Sequence, residues 1–243
     1  MSTIAILGAT GTIGSAVARR LVRQGQSVLL VGRNEEKLSA LERELAQPYV
    51  IADLTGSQPL EQALETAATV QGGCRGLVNC IGSLLLKPAH ATTDEDFRRV
   101  VETNLFTAFS TVRAGARLLR EGGGSIILFA SAAAEIGIAN HEAIAAAKAG
   151  VIGLARSAAA TYAPHNIRVN VVSPGLIRTE LTRRIWENST SASASAQMHA
   201  LGRLGEPEQV ASLVAWLLDI ENNWITGQVI GIDGGLGHVL PRK

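Results

Sequence analysis

The chain has 243 residues, of which 47% are hydrophobic and 18% charged, and its formal net charge is +1. This size and composition allow a large buried core. The 22 basic and 21 acidic residues are nearly balanced and form no basic cluster, which argues against a nucleic-acid partner. Two cysteines, Cys74 and Cys80, are too few for a disulfide framework. The sequence shows no secretory pattern and no membrane-spanning run, so we expect a cytoplasmic protein without a membrane partner.

Short apolar runs alternate with longer amphipathic segments along the whole chain, as in repeated strand–helix units. Seven strands are predicted near Ile4–Leu7, Ser27–Val31, Tyr49–Ile51, Gly76–Asn79, Ser125–Phe129, Arg168–Val172 and Val229–Ile232. Helices are predicted near Ile13–Gln24, Glu35–Leu45, Leu60–Val70, Asp94–Leu119, His141–Ala163 and Pro207–Leu218. The pattern predicts an α/β fold in which a doubly wound sheet of seven parallel strands carries helices on both faces. No linker divides the chain, so we expect a single domain over residues 1–243.

The first predicted strand leads into the first helix through a glycine-rich loop, IAILGATGTIG, at residues 4–14. Glycines at 8, 11 and 14 permit a tight turn, close approach of the main chain to a pyrophosphate, and close helix packing. The helix N-terminus adds N–H groups that attract an anion. Because the loop lies between a strand and an amphipathic helix, it predicts a dinucleotide site. That site would comprise Gly8, Thr10, Gly11, Thr12, Ile13 and Gly14.

The end of the second predicted strand indicates which dinucleotide is bound. An acid at this position holds the adenosine 2′-hydroxyl of NAD(H), whereas an arginine can grip the 2′-phosphate of NADP(H) with two hydrogen bonds. The sequence here is Gly32-Arg33-Asn34, and no acid occurs before Glu35. We therefore favour NADP(H) over NAD(H), bound at Arg33 and Asn34. The alternative is a solvated arginine at the start of a helix.

Residues 188–196, NSTSASASA, form the one compositionally biased segment. Their small polar side chains cannot pack a core, which predicts a mobile loop. The segment falls on the side of the sheet where ligands bind in such folds. A lid over a ligand and a plain surface loop both remain open.

Further motifs, in order along nearly the whole chain, resemble those of the short-chain dehydrogenase/reductase family. The resemblance implies a Rossmann-type NAD(P)-binding domain. It assigns cofactor contacts to Asp53 and Leu54 beside the adenine, to Asn79, Ile81 and Gly82 in a turn like the family's Asn-Asn-Ala-Gly, and to Pro174, Gly175, Ile177, Thr179 and Lys148 beside the nicotinamide. Residues 203–207 and 225–235 resemble the family's C-terminal signature. A homodimer or homotetramer, formed through the two long helices and the last strand, is also implied.

The resemblance assigns catalytic roles to Ser131, Asn104 and Lys148. The chain differs from the family at the position of the proton donor. In the family, a tyrosine lies four residues before the lysine and thirteen residues after the serine. Here both spacings lead to Ile144, which has no titratable group. The chain has two tyrosines, Tyr49 and Tyr162. Tyr162 lies roughly 21 Å beyond Lys148 along a helix, too far to substitute.

Two functions therefore remain open from the sequence. The first is an oxidoreductase that transfers hydride between NADP(H) and a small carbonyl or alcohol substrate, with a proton delivered by water, by the substrate or by His141. By helical spacing His141 shares a face with Ile144 and Lys148, and histidine is a common general acid in enzymes. The second is a nucleotide-binding homologue without turnover, with a regulatory or structural role.

Overall fold

Seven strands form a single sheet in the computed structural model, which describes residues 2–54, 57–69 and 73–239. The strands are β1 (Thr3–Leu7), β2 (Val28–Gly32), β3 (Tyr49–Ile51), β4 (Cys74–Asn79), β5 (Gly124–Phe129), β6 (Ile167–Pro174) and β7 (Val229–Ile232). Their order is β3-β2-β1-β4-β5-β6-β7, and every pair of neighbours is parallel. The predicted Rossmann-type sheet is confirmed.

Helices cover both faces of this sheet. They are α1 (Thr12–Arg23), α2 (Glu35–Leu45), α3 (Ser57–Thr69), α4 (Asp94–Val101), α5 (Thr107–Leu118), α6 (Glu142–Tyr162), α7 (Arg183–Trp186), α8 (Ser189–Met198) and α9 (Pro207–Leu218). One core cluster joins the sheet to α3, α5 and α6, and another joins it to α1, α2 and α9. Alternate residues of β1 serve the two clusters: Ala5 and Leu7 point to the first, and Ile4 and Ile6 to the second. Burial on both faces explains why the strands read as continuous apolar runs.

The long helix predicted over Asp94–Leu119 is interrupted. The chain forms a π-helical turn at Glu102–Phe106, between α4 and α5. Such turns insert one extra residue into a helix and are frequent at functional sites. Asn104, a predicted catalytic residue, lies within it and is buried. The predicted third helix begins earlier than expected, at Ser57, and its last predicted residue, Val70, lies outside the described residues.

The prediction of a mobile loop over Asn188–Ala196 was wrong, because most of this segment is helical and belongs to α8. The Asn188 side chain caps the helix by accepting a hydrogen bond from the main-chain N–H of Ser191 at 2.9 Å. Its alanines have the highest helix propensity of any residue. None of the residues of α8 is buried, so the expectation that these side chains pack no core agrees with the structure.

The strand order creates a crevice at one edge of the sheet. From β1 the chain builds outward to β2 and β3, then crosses back to add β4 on the other side of β1. The loops that follow β1 and β4 therefore diverge at their carboxyl ends, where ligands bind in open parallel sheets.

Candidate active site

A cleft opens above the carboxyl ends of β1, β2, β3 and β4, and we name it the glycine-loop cleft. It consists of two adjoining depressions of about 820 and 370 Å³ that share Thr10, Gly11, Arg33, Cys80 and Gly82. Most of the predicted cofactor-binding residues line it: Gly8, Thr10, Gly11, Thr12, Ile13, Gly14, Arg33, Asn34, Asp53, Leu54, Ile81, Gly82 and Thr179. The structure thus brings together residues that are up to 171 positions apart in the sequence.

The glycine loop fits a dinucleotide because its main chain leaves no room for side chains. Gly8 has a φ of +77°, and a Cβ atom there would lie 3.2 Å from the carbonyl carbon of Cys80. A Cβ at Gly14 would lie 2.3 Å from the Gly8 carbonyl oxygen, closer than such atoms can approach. Gly11 is the N-cap residue of α1 and has no side chain to cap the N–H groups of the first turn. These groups are suited to a pyrophosphate.

Positive charge surrounds the far end of the cleft. Arg33 and Lys37 are exposed there. The neighbouring Arg19 is neutralised by Glu44, which accepts two hydrogen bonds at 2.6 and 2.7 Å. Asn34 also lines this end, but its Oδ1 caps α2 by accepting from the Lys37 main-chain N–H at 2.9 Å. This distribution of charge suits a bound phosphate.

Asn79 does not line the cleft, although it was predicted to contact a cofactor. Its side chain is buried, and its Nδ2 donates to Oγ1 of Thr111 at 3.0 Å. Its Oδ1 accepts from the main-chain N–H of Ile81 at 2.9 Å. Asn79 therefore shapes the turn after β4 and positions Ile81 and Gly82, which do reach the cleft.

The glycine-loop cleft continues into a smaller inner cavity of about 160 Å³. Ile13, Cys80, Gly82 and Thr179 line both spaces. The inner cavity brings together Asn104, Ser131, Ile144 and Lys148, and with them Pro174, Gly175 and Ile177 from the end of β6 and the following loop. Ser131 comes from the end of β5, where its Oγ accepts a weak hydrogen bond from the Ala133 main-chain N–H at 3.3 Å.

Asn104 ties the π-helical turn to the loop after β4. Its Nδ2 donates to Oγ of Ser83 and to the carbonyl of Val100, both at 2.9 Å. Its Oδ1 accepts from the Ser83 main-chain N–H at 3.2 Å. The contact of Asn104 with Ser83 could not be predicted from the sequence, because it depends on a π-helical turn that has no residue pattern of its own.

Lys148 is the buried charge of the inner cavity. Its Nζ donates to the carbonyl of Phe129 at 2.9 Å, and the residue is 7% exposed. Burial lowers the pKa of Lys148 from 10.5 to about 8, because the apolar surroundings disfavour its charged form. Burial likewise raises the pKa of the Cys80 thiol to about 12, so this thiol stays neutral near neutral pH.

Ile144 forms the apolar wall beside Lys148. It is buried and packs in a small cluster with Val100, Ala143 and Ala147, against Leu84 and Leu85 of the loop after β4. It precedes Lys148 by one helical turn, so the two side chains share a face of α6. The apolar wall contributes to the desolvation that lowers the pKa of Lys148.

His141 does not reach the inner cavity. It precedes α6 as the N-cap residue, and its Nδ1 lies 2.8 Å from the carbonyl oxygen of Ala139. Although residues 141, 144 and 148 share a helical period, residue 141 is not yet helical. The tyrosines Tyr49 and Tyr162 are also absent from the described lining of the cavity.

His199 supports the site, and sequence reasoning missed it. It is buried at the end of α8, where its Nε2 accepts from the Leu176 main-chain N–H at 3.1 Å and its Nδ1 lies 2.7 Å from the Ser195 carbonyl. A Cβ at Gly175 would lie 2.6 Å from Nε2. His199 thus braces the loop after β6. On the opposite side, Oγ1 of Thr12 accepts from the Glu180 main-chain N–H at 3.1 Å and links that loop to the glycine loop.

Comparison with known proteins agrees with this architecture. A family model described as enoyl-(acyl carrier protein) reductase matches residues 8–237. The chain is 33% identical over 242 residues to a 3-oxoacyl-(acyl carrier protein) reductase of Thermotoga maritima, covering 95% of this chain and 96% of that protein.

Solved structures agree as well. A short-chain type dehydrogenase/reductase from Mycobacterium ulcerans superposes with a TM-score of 0.93 at 33% identity, covering 97% of this chain and 90% of that one. An actinorhodin polyketide ketoreductase determined with NADPH has a TM-score of 0.89 at 28% identity, with 98% of each chain covered. The chain belongs to the short-chain dehydrogenase/reductase family.

The lowered pKa of Lys148 has a measurable consequence for stability. Between about pH 8 and pH 10.5 the unfolded chain holds a proton on Lys148 that the folded chain has released, so the free energy of unfolding rises with pH. Relative to Lys148→Met, which cannot titrate at this position, the wild type should gain about 2 kcal/mol of unfolding free energy between pH 7 and pH 10. Urea unfolding at several pH values measures it.

Lys37→Met is the matched control, because it makes the same change at an exposed lysine instead of a buried one. Parallel pH curves for wild type and Lys148→Met would show that Lys148 keeps its ordinary pKa.

Proposed function

We propose that the protein is an NADP(H)-dependent oxidoreductase acting on a carbonyl or alcohol group of a small substrate, with a proton donor other than tyrosine. The observation that carries the proposal is the inner cavity, where Asn104, Ser131 and Lys148 meet at the end of the glycine-loop cleft. The reductase names of the matched family model and relatives support the reaction class.

The residues around the glycine-loop cleft suit the cofactor. The glycine loop would hold the pyrophosphate, Asp53 and Leu54 the adenine side, and Arg33 with Lys37 the 2′-phosphate. Pro174, Gly175, Ile177 and Thr179 line the inner end, beside Lys148. When bound there, the nicotinamide supplies or accepts the hydride. The NADPH in the ketoreductase structure supports the choice of NADP(H).

Ser131 is suited to orient the substrate oxygen. Its Oγ already accepts a hydrogen bond from the Ala133 main chain, which leaves the hydroxyl hydrogen to donate to a carbonyl in the cavity. Ser131 lies two residues beyond β5 and caps the short 3-10 turn at Ala132–Ala134, and these two elements fix the position of its hydroxyl.

We assign the donation of the proton to Lys148. In the family a tyrosine occupies the position of Ile144, which can neither donate nor accept a proton. Among the described residues of the inner cavity, the ammonium of Lys148 is the group whose pKa lies near neutrality, because the Cys80 pKa is about 12 and a serine hydroxyl is a far weaker acid. One N–H of Lys148 binds the Phe129 carbonyl, and two remain to donate to a developing oxyanion.

Binding without turnover is the second candidate function. The close packing of Ile144 with Leu84, Leu85 and Val100 favours this second function, because the cluster is apolar and holds no group that could transfer a proton. A regulatory or structural protein would keep the glycine loop, Arg33 and Lys148 for nucleotide binding alone.

A pH–rate profile together with an Ile144→Tyr variant separates the two functions. If Lys148 is the acid, kcat/KM for NADPH-dependent reduction of a panel of ketones and aldehydes should fall about tenfold per pH unit above about pH 8, where Lys148 loses its proton. Because Lys148 already supplies an acid, Ile144→Tyr should raise the rate by less than the ~10²–10⁴-fold that general acid catalysis usually contributes.

His141→Gln is the control and should leave the profile unchanged, because His141 lies outside the cavity. NADPH binding with no turnover in the native protein, and turnover only in Ile144→Tyr, would establish the second function. A profile without the decline above pH 8 would remove Lys148 as the proton donor.

The preference for NADP(H) rests on Arg33 and can be tested directly. Arg33→Asp should weaken NADPH binding by about 10–100-fold, because a charge-assisted bidentate contact is lost and a repulsive carboxylate is introduced. The same change should strengthen NADH binding, since an acid can hold the 2′-hydroxyl. Fluorescence titration with each cofactor measures both effects. Arg120→Asp, an exposed arginine outside the cleft, should alter neither, and an unchanged NADPH affinity in Arg33→Asp would leave Arg33 a solvated surface residue.

We further propose that the chain forms a homodimer or homotetramer through the exposed faces of α5 and α6. Phe106 and Phe109 are 42% and 46% exposed. The helical stretch over residues 142–165 is long enough to span a membrane and contains an 18-residue apolar window of mean hydropathy 1.3, of which 44% is buried inside the protein. Its exposed positions include the small residues Ala146, Ala149 and Gly153, which permit close approach of another helix. A second copy would cover both helices.

Phe109→Asp is expected to shift the mass in solution towards the 25.5 kDa of a single chain, because it places a charge in the apolar contact. Light scattering after size-exclusion chromatography measures the mass. Ile51→Asp changes a similarly exposed apolar residue on the edge strand β3, outside α5 and α6, and should leave the mass unchanged. A monomeric wild type would contradict the proposal.

A further inference from the structure

A second cleft lies at the amino edge of the sheet, on the opposite side from the glycine-loop cleft, and we name it the amino-edge cleft. Its volume is about 720 Å³. It opens where β5 and β6 begin and where α9 ends. The residues that give it chemical character are Arg75, Arg168, Ser125 and Trp224.

Two half-buried arginines form its base. Arg75 and Arg168 lie on the strands that flank β5. Burial, and to a smaller extent the charge of Arg75, lowers the pKa of Arg168. Neither guanidinium forms an ion pair within the described part of the chain. The nearest acidic influence on Arg75 comes from Asp219, whose Oδ1 accepts from the Glu221 main-chain N–H.

The partial negative charge at the end of α9 offsets only part of the positive charge of the two arginines. Arg75 donates to the carbonyl of Leu218 at 3.2 Å, and Arg168 donates to that of Leu217 at 2.8 Å. These are the last carbonyls of α9, and a helix C-terminus carries roughly half a negative charge. That half charge, even with Asp219 added, does not balance two guanidiniums. Each guanidinium has five N–H donors, and Arg75 and Arg168 each use two of them in bonds to protein acceptors.

A buried hydroxyl without a partner also lines the cleft. Ser125, at the start of β5 between the two arginines, is 2% exposed. Its Oγ makes no hydrogen bond to the residues that the structure describes. A buried hydroxyl without a partner is destabilising, so a ligand that supplies one would recover this free energy.

The rim of the cleft carries an exposed aromatic ring. Trp224 is 96% exposed, and the neighbouring Ile220 is 74% exposed. An indole this exposed contributes no stability through burial, and its flat face is free to stack on an aromatic ring. Asn223, next to it in the lining, adds a polar amide.

We infer that the amino-edge cleft binds a small organic oxyanion, a carboxylate or phosphate ester, that carries an aromatic ring. The oxyanion accepts hydrogen bonds from Arg75 and Arg168 and from the Ser125 hydroxyl, and the ring stacks on Trp224. The site is separate from the glycine-loop cleft, because the two clefts lie at opposite edges of the same sheet and share no lining residue.

Isothermal titration calorimetry with phenyl phosphate, phenylacetate and inorganic phosphate tests the inference on the whole protein. We expect phenyl phosphate or phenylacetate to bind one per chain and more tightly than inorganic phosphate, and the two compounds distinguish an ester phosphate from a carboxylate. Trp224→Ala should weaken binding at least about fivefold through the lost stacking. Trp216→Ala, which removes another exposed tryptophan outside the cleft, should not change it.

Ser125→Ala provides a variant that should fold normally, because it removes a hydroxyl without a partner. It should keep or raise the melting temperature while weakening the binding of phenyl phosphate or phenylacetate about fivefold or more. Saturating NADPH and the Arg33→Asp change should both leave binding unaffected, which separates this site from the proposed cofactor site.

Three outcomes would overturn the inference. The first is that neither aromatic compound binds at concentrations up to about 10 mM, which corresponds to almost no specific affinity. The second is that a compound binds but is displaced by NADPH, or binds equally well to wild type, Trp224→Ala and Ser125→Ala. The third is that neither compound binds and Trp224→Ala alters the mass of the protein in solution, which would show that the cleft is a contact between subunits.

Discussion

Burial of the sheet on both faces constrains where this protein can place polar groups. The interior residues of β1, β2, β4, β5 and β6 are almost entirely inaccessible to water, and two apolar clusters seal them from above and below. Unpaired polar and charged groups are costly in such an interior. Polar chemistry is therefore confined to the two edges where strands meet loops. The carboxyl edge holds the glycine-loop cleft and the inner cavity, and the amino edge holds the arginine pair.

At the carboxyl edge, one buried charge determines how the inner cavity can work. Lys148 extends from α6 to the Phe129 carbonyl, beside an apolar wall that includes Ile144. Ile144 has no titratable group, and it is part of the apolar surroundings of the lysine. Burial in these surroundings lowers the pKa of Lys148 to about 8, which makes its ammonium a stronger acid.

Most of the fold could be predicted from the sequence, since it depends on local patterns. The alternation of apolar runs and amphipathic segments located all seven strands, and the glycines of residues 8–14 located the dinucleotide loop. One failure has a local cause. The segment at residues 188–196 has a composition typical of loops, yet a capping asparagine and its alanines make it helical. The other failure involves a contact between distant residues, because the π-helical turn at Asn104 has no residue signature and brings that side chain to Ser83, 21 positions away in the sequence.

By itself, the sequence determined the parallel sheet, the position of the glycine loop, and the spacing that aligns Ser131 and Lys148 around Ile144. These follow from periodicity and residue type, which act over a few neighbouring positions. Only the tertiary structure decided that Asn79 supports the turn without reaching the cleft, that His141 stays outside the cavity, and that Arg75 and Arg168 stand side by side. Those outcomes depend on burial and on contacts between residues distant in the chain, and such contacts exist only after the strands have been brought together.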